Sequence, residues 1–256
     1  LTDMGWSSDS IDLDDWMKIY CEARYGGYPD AMEEAWKLFR KTAYSSLYSY
    51  PRFTWQTVIP DQRRISKIDL SDDYLQAIRL YASCADELKS SELYRNDLIE
   101  FVSYYVAAKA ENFYKQALKD DSENRVLAAQ RNLQQTVDLL MDVDRLLASH
   151  PLYRLEEWVE LARNSGTTLQ EKDAYEANAK RLITSWGGIQ EDYAARFWSG
   201  LIKDYYIPRI QLYFTKDRDK IREWEEQWIT SPWSNSTTPF DDPVEAALSL
   251  IEKTNK

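Results

Sequence analysis

Few residues in this sequence of 256 could carry chemistry. The single histidine, His150, precedes Pro151 at a helix boundary, where an imidazole is expected to cap carbonyls or face solvent rather than bind metal. Without a second histidine, neither a Ser/His/Asp nor a Cys/His nucleophilic apparatus can be assembled. Neither a glycine-rich phosphate loop nor an HExxH motif is present, so no cofactor and no metal is expected. Cys21 and Cys84 are far apart, without ligand or redox spacing, and fall on apolar helix faces as buried thiols. Asn235-Ser236-Thr237 fits a glycosylation acceptor in a polar loop.

Aromatic content stands out, with 10 Trp and 18 Tyr. Planar side chains stack on sugar rings and hydrogen-bond hydroxyls, although most of these fall on inward helical stripes, where they build core. The exceptions gather between Ile183 and Ala194, where Trp186, Gly187, Gly188, Asp192 and Tyr193 meet at a turn between helices. Two glycines let the backbone turn sharply, exposing Trp186 and the start of the next helix. Such a turn can wall a ligand site, and a buried helix corner would carry the same residues. An acid at a helix start, as Asp192 is expected to be, is also explained by capping alone.

The net charge of -11 argues against a nucleic-acid or heparin-binding surface, because phosphates and sulfates would be repelled. Hydrophobic residues at 44% and charged residues at 29% fit a globular chain. No apolar run approaches the ~20 residues that cross a bilayer, so no membrane insertion is expected. Leu1 to Trp6 lacks the pattern of a signal peptide and does not begin with Met. The chain is therefore read as a fragment, with any export signal upstream.

Positioning falls to helices. The periodicity predicts an all-α fold: an irregular bundle of about nine to ten helices, comparable to part of an α/α toroid, over a single domain spanning 1–256. Leu13, Trp16, Met17 and Tyr20 stripe the first helix, which Gly26-Gly27 ends. Asp30 and Glu33 suggest a capping box for the second, with Met32, Ala35, Trp36, Phe39 and Ala43 inward. An irregular connection runs from Tyr50 to Ile68. Ser71 is expected to cap a third helix through Leu75, Ile78, Tyr81, Ala85 and Leu88. Two long helices, about Leu93 to Leu118 and Asn124 to Ser149, should pack antiparallel across Asp120-Asp121-Ser122. Pro151 opens a sixth, and Thr168 with Glu171 caps a seventh. The eighth is expected from Asp192 through Phe197, Trp198, Leu201 and Tyr205, kinked or broken by Pro208 before Tyr213. Ile221, Trp224 and Trp228 mark a ninth; Val244, Ala247, Leu248 and Ile251 mark a short terminal helix.

An ordered series of motifs adds a resemblance. Trp186-Gly187, Asp192-Tyr193-Ala194, Trp198-Ser199-Gly200-Leu201 and Asp204-Tyr205-Tyr206 through Pro208-Arg209 are similar to glycoside hydrolase family 89, the α-N-acetylglucosaminidases. Gly5-Trp6, Arg24-Tyr25-Gly26, Leu146 to His150, and Trp158 through Ala162-Arg163 follow the same pattern. The series covers the chain to about Tyr213; the last forty or so residues match poorly, and Ile210 stands where the family usually has Trp. The resemblance implies the C-terminal helical domain of a three-part retaining exo-hydrolase that releases terminal α-linked N-acetylglucosamine. Its catalytic glutamates would lie upstream in a (β/α) barrel, a fold of ~250 residues for which this chain has no room. The fragment alone would be inactive. It would form one wall of the sugar cleft against the barrel, with Trp186 as stacking platform, Tyr193 as hydroxyl partner and Asp192 as a third contact. The family's substrates imply an exported or lysosomal parent.

Two rival readings remain at this level. A self-contained (α/α)-barrel glycosidase would need about twelve helices and two facing carboxylates of its own. A stand-alone helical module would bind glycan or protein without hydrolysis.

Overall fold

The computed structural model describes residues 5–6, 10–45, 53–57, 72–186, 192, 194–215, 217–234 and 236–254. They form eleven α-helices and one π-helical turn. The all-α expectation is observed. One isolated bridge, between Arg154 and Ser199, is the sole strand-like pairing among the described residues. No helix among them is long and apolar enough to cross a membrane. The chain divides into two compact units, residues 1–48 with 69–101, and residues 49–68 with 102–256.

The first unit holds α1 (Leu13–Tyr25), α2 (Asp30–Lys41), α3 (Asp72–Ser83), α4 (Ala85–Leu88) and the opening turns of α5 (Glu92–Ser122). The Asp12 side chain accepts from the Asp14 and Asp15 amides at the start of α1, and Gly26 (φ 86°) ends it in the left-handed cap. The expected stripe is rotated: Leu13 is exposed, whereas Cys21 and Tyr25 are buried. The Asp30–Glu33 capping box does not form, because Pro29 is the N-cap and Glu33 pairs with Lys37 instead. Ala43 is exposed beyond the end of α2. The single third helix of the sequence reading is divided near Cys84 into α3 and α4, which accounts for one helix more than expected. Its proposed cap, Ser71, lies outside the described residues, as does most of the Tyr50–Ile68 connection.

An aromatic core fills this unit. Tyr81 and Tyr94 stack with centroids 4.8 Å apart, Tyr25 meets both edge-on, and Phe39 lies 4.5 Å from Phe101. Arg24 grips Asp97 through two bonds of 2.7 and 2.6 Å, and the Tyr25 hydroxyl donates to the same carboxylate at 2.6 Å. The Arg24-Tyr25-Gly26 motif is thus an ion pair, a core ring and a helix stop. Both cysteines are free and buried. Burial pushes the Cys21 thiol up to about 12 and the Cys84 thiol up to about 11. Because the thiolate is the nucleophile, neither should react with a disulfide reagent at pH 8 until the protein unfolds. A colorimetric thiol titration with and without denaturant checks this; rapid labelling of the native protein would contradict it.

In the second unit, α5 runs on through Ser122 instead of breaking at Asp120, and the chain reverses at Asn124 (φ 59°) into α6 (Val126–Leu147). Asp120 therefore lies within the last turns of α5, where it accepts from Gln116 and Asn132 at 2.8 Å each and pairs with Arg125. The Asn132–Asp120 bond, with Thr136 donating to the Ala110 carbonyl at 3.5 Å, sets these segments antiparallel. Phe53, Trp55 and Gln56 form a buried turn stitched to α5 by Glu111, which accepts the Thr54 amide at 3.0 and 2.9 Å. His150 is buried rather than facing solvent, and its Nδ1 accepts from the Leu152 amide at 3.1 Å.

Next come α7 (Leu155–Asn164) and α8 (Leu169–Leu182), a helical hairpin turned at Gly166. A Cβ there would lie 2.7 Å from the Lys172 nitrogen, so glycine is required. Pro151 precedes α7 by a turn and does not open it. The predicted Thr168–Glu171 capping box is present, with the Glu171 amide donating to Thr168 Oγ1 at 3.2 Å and the Thr168 amide to Glu171 at 3.0 Å. Thr168→Ala should cost about 1 kcal/mol. Thermal unfolding should show a fall in Tm of roughly 2–4 °C; an unchanged Tm would mean the box is dispensable.

Last come the π turn Ile202–Tyr206, α9 (Ile207–Tyr213), α10 (Arg218–Thr230) and α11 (Pro243–Lys253). The predicted eighth helix starts at Leu201, not Asp192. Phe197 and Trp198 lie in irregular chain, since Ser199 pairs through its backbone with Tyr153 and Leu155, and Gly200 has φ 82°. Pro208 does not break the helix: the wider π turn just before it absorbs the missing amide donor.

Candidate functional site

The turn carrying the predicted site residues leaves α8 by an ordered route. Thr184 donates its hydroxyl to the Lys180 carbonyl at 2.7 Å, and the Trp186 amide donates to the Arg181 carbonyl at 2.9 Å. The Asp192 amide then returns to the Thr184 carbonyl at 2.9 Å, closing the loop. Gly187 to Glu191 and Tyr193 lie outside the described residues. Trp186 is 39% exposed and holds φ +32°; Asp192 holds φ +58°. A bulky residue at positive φ is strained, and such strain persists where surroundings over-determine it, often at ligand-facing turns.

What fixes this turn is Arg209. Its guanidinium is fully buried and donates through one nitrogen to Asp192 at 2.8 Å, to the Tyr205 hydroxyl at 3.1 Å and to Glu225 at 3.1 Å. The second terminal nitrogen donates to the Gln56 carbonyl at 2.6 Å. The rings of Tyr205 and Tyr206 lie 4.7 and 5.5 Å from the guanidinium carbon. Tyr205 also donates to Glu225 at 2.8 Å. Burial works against the Arg209 charge, yet the facing Asp192 carboxylate, with Tyr205 and Glu225, holds its pKa well above the usual value. Burial, with the nearby carboxylates, likewise holds Tyr205 well above the ordinary phenol range.

Asp192 is thus placed differently from the helix-start cap foreseen for it. It is 4% exposed and spends its charge on Arg209, so it braces the far end of the turn while Trp186 reaches solvent. Sequence reasoning gave no role to Arg209 or Glu225. One signal was available: Glu225 lies between Trp224 and Trp228 on the inward stripe of α10, where a charge needs a partner.

A second support sits beside it. Asp144, buried in α6, accepts from the Gly200 and Lys203 amides at 2.8 and 3.0 Å and from the hydroxyls of Ser199 and Thr237 at 3.3 and 2.5 Å. It acts as a remote cap for the helix that begins at Leu201. A Cβ on Gly200 would meet Trp233 and Leu155 at 3.1 and 3.2 Å. The motif from Trp198 to Arg209 is therefore chiefly a buried polar frame behind an exposed turn.

The other buried acids are committed too. Asp97 serves Arg24, Glu111 serves Thr54 and Lys115, and Glu176 serves Arg163 and Lys180. Among the described residues, every buried carboxylate is thus engaged by cations or amides.

The family described as "Alpha-N-acetylglucosaminidase (NAGLU) C-terminal domain" matches residues 16–253. The chain belongs to that family. The α-N-acetylglucosaminidase match extends through the last forty residues, where the motif series faded. Human alpha-N-acetylglucosaminidase is 28% identical over 285 aligned residues, covering 99% of this chain and 37% of the human protein. The same fold occurs in the family 89 glycoside hydrolase of Clostridium perfringens solved with PUGNAc, at TM-score 0.85 and 23% identity, over 98% of this chain and 32% of that one. A variant of the clostridial enzyme, solved with its substrate GlcNAc-alpha-1,4-galactose, superposes at TM-score 0.84. The chain spans about a third of the length of these α-N-acetylglucosaminidases and family 89 relatives.

Proposed function

We propose that this chain is one C-terminal helical domain, residues 1–256, of an exo-acting, retaining α-N-acetylglucosaminidase, and that it forms one wall of the active-site cleft. The observation carrying this reading is the family match across residues 16–253. The chemistry belongs to a (β/α) barrel upstream, where two glutamates ~5 Å apart act as acid/base and nucleophile. That the buried acids among the described residues are engaged by cations or amides supports placing the chemistry elsewhere. In this reading Trp186 stacks on the terminal N-acetylglucosamine and Tyr193 meets one of its hydroxyls. Asp192 acts through position: its ion pair with Arg209 holds the far end of the turn that Trp186 opens.

The division of labour is tested by assaying the full-length protein and this chain alone on an aryl α-N-acetylglucosaminide. The full-length protein should release the aglycone and the chain alone should not. Turnover by the chain alone, abolished by substituting one of its own acids, would overturn the proposal in favour of a self-contained helical glycosidase.

A further inference from the structure

A cavity of about 380 Å³ in the second unit, bordered by α9, α10 and the segment after α10, has no part in the reading above. Trp186 is not among its described lining residues; Trp224, Trp228, Trp233, Asp204 and Gln227 are. We propose that this cavity binds an uncharged sugar residue of a glycan.

The lining sets the ligand class. No Leu, Ile, Val or Met side chain contributes: indoles, prolines, hydroxyls, an amide, a carboxylate and the Lys180 side chain do. A lipid tail or a leucine-rich peptide would find little to match, whereas a pyranose presents an apolar face for an indole and hydroxyls for the rest. The Trp228 ring is already taken, by Tyr205 at 4.8 Å and by Lys180 Nζ at 4.9 Å. Trp224 also leans on Tyr205, at 5.5 Å, and both indoles are half-buried, but the Lys180 contact falls on Trp228, so Trp224 is the stacking surface. Trp233 is locked in place: its indole nitrogen donates to Asp204 Oδ2 at 3.0 Å and its amide to Glu176 at 2.5 Å.

Charge decides against an anionic sugar. The one cation lining the cavity among the described residues, Lys180, is buried and donates to Glu176 at 3.2 Å and to the Ser231 carbonyl at 2.5 Å. Burial lowers its pKa as well. Asp204 contributes a carboxylate whose Oδ1, among the described residues, has a distant neighbour in Lys203 Nζ at 3.9 Å. Oδ1 can therefore accept from sugar hydroxyls, while a sulfate beside it would meet the repulsion of the carboxylate, and the nearest cation to that oxygen, Lys203, already faces it.

The test does not depend on hydrolysis. The full-length protein is titrated with N-acetyllactosamine, a neutral β-linked disaccharide that an exo-α-hydrolase leaves intact, and with its 6-sulfated counterpart, by ligand-observed NMR. Saturable binding is expected, weakened at least tenfold by Trp224→Ala and severalfold by Asp204→Asn, and unchanged by Trp186→Ala. The sulfated probe should bind at least severalfold more weakly. If circular dichroism shows that Trp224→Ala unfolds, Asp204→Asn and the exposed Gln227→Ala take its place. No saturable binding, binding indifferent to these substitutions, loss on Trp186→Ala alone, or equal affinity for the sulfated probe would each overturn the proposal.

Discussion

Replacing Arg209 with alanine should destabilise the helical domain by about 3–5 kcal/mol, the usual cost of stranding buried charge. The reason lies in the count of charges around one side chain. Asp192 and Glu225 both direct carboxylate oxygens at the same guanidinium nitrogen, at 2.8 and 3.1 Å, in a site where all three side chains are at most 5% exposed. Removing the cation leaves two like charges buried together, with the Tyr205 hydroxyl still donating to Glu225. In a protein of this size the loss corresponds to a fall in Tm of roughly 10 °C or more. Arg209→Lys keeps the charge but not the planar fork that reaches the Gln56 carbonyl at the same time, so it should fall between. Adding Asp192→Asn and Glu225→Gln to the alanine variant should recover part of the loss, because the stranded charges are then gone. A Tm within 2 °C of the parent for Arg209→Ala, on the order of a change of 1 kcal/mol or less, would show that the frame is not held by this ion cluster.

Helical periodicity made the fold class legible, and local chemistry made some ends legible as well. Gly26 stops α1, and Thr168 with Glu171 starts α8, because those signals act within a few residues. The reading failed where spacing imitated a helix that the chain does not make. Phe197, Trp198, Leu201 and Tyr205 suit one helical face, yet Gly200 at φ 82° and the Ser199 backbone pairing break the run. A glycine inside a periodic pattern was the available warning. Pro208 does not end the helix, because a π turn can absorb it.

The site divides along the same line. Trp186 was legible as an exposed aromatic at a glycine turn, and it is observed to reach solvent. The frame behind it was not, because Arg209 meets Gln56, Asp192 and Glu225 from three different stretches of sequence. No local spacing encodes such a meeting. Asp144 and Glu225 each left a trace, an acid on an otherwise apolar helical stripe, which demands a buried partner without saying which.

The second large effect concerns Trp186, and it separates function from stability. Because this ring is 39% exposed and its turn is held by backbone bonds and by Asp192, Trp186→Ala should leave Tm nearly unchanged, within ~0.5 kcal/mol in stability. Losing a stacking face in a cleft removes about 1–1.5 kcal/mol of binding, or roughly tenfold in kcat/KM. If Trp186 only packed a seam, its loss would lower stability more than catalysis. The decisive measurement is therefore kcat/KM of full-length Trp186→Ala on an aryl α-N-acetylglucosaminide, taken beside its Tm. A fall of about tenfold with Tm preserved is the result expected if this helical domain walls the sugar site; unchanged kinetics would contradict it.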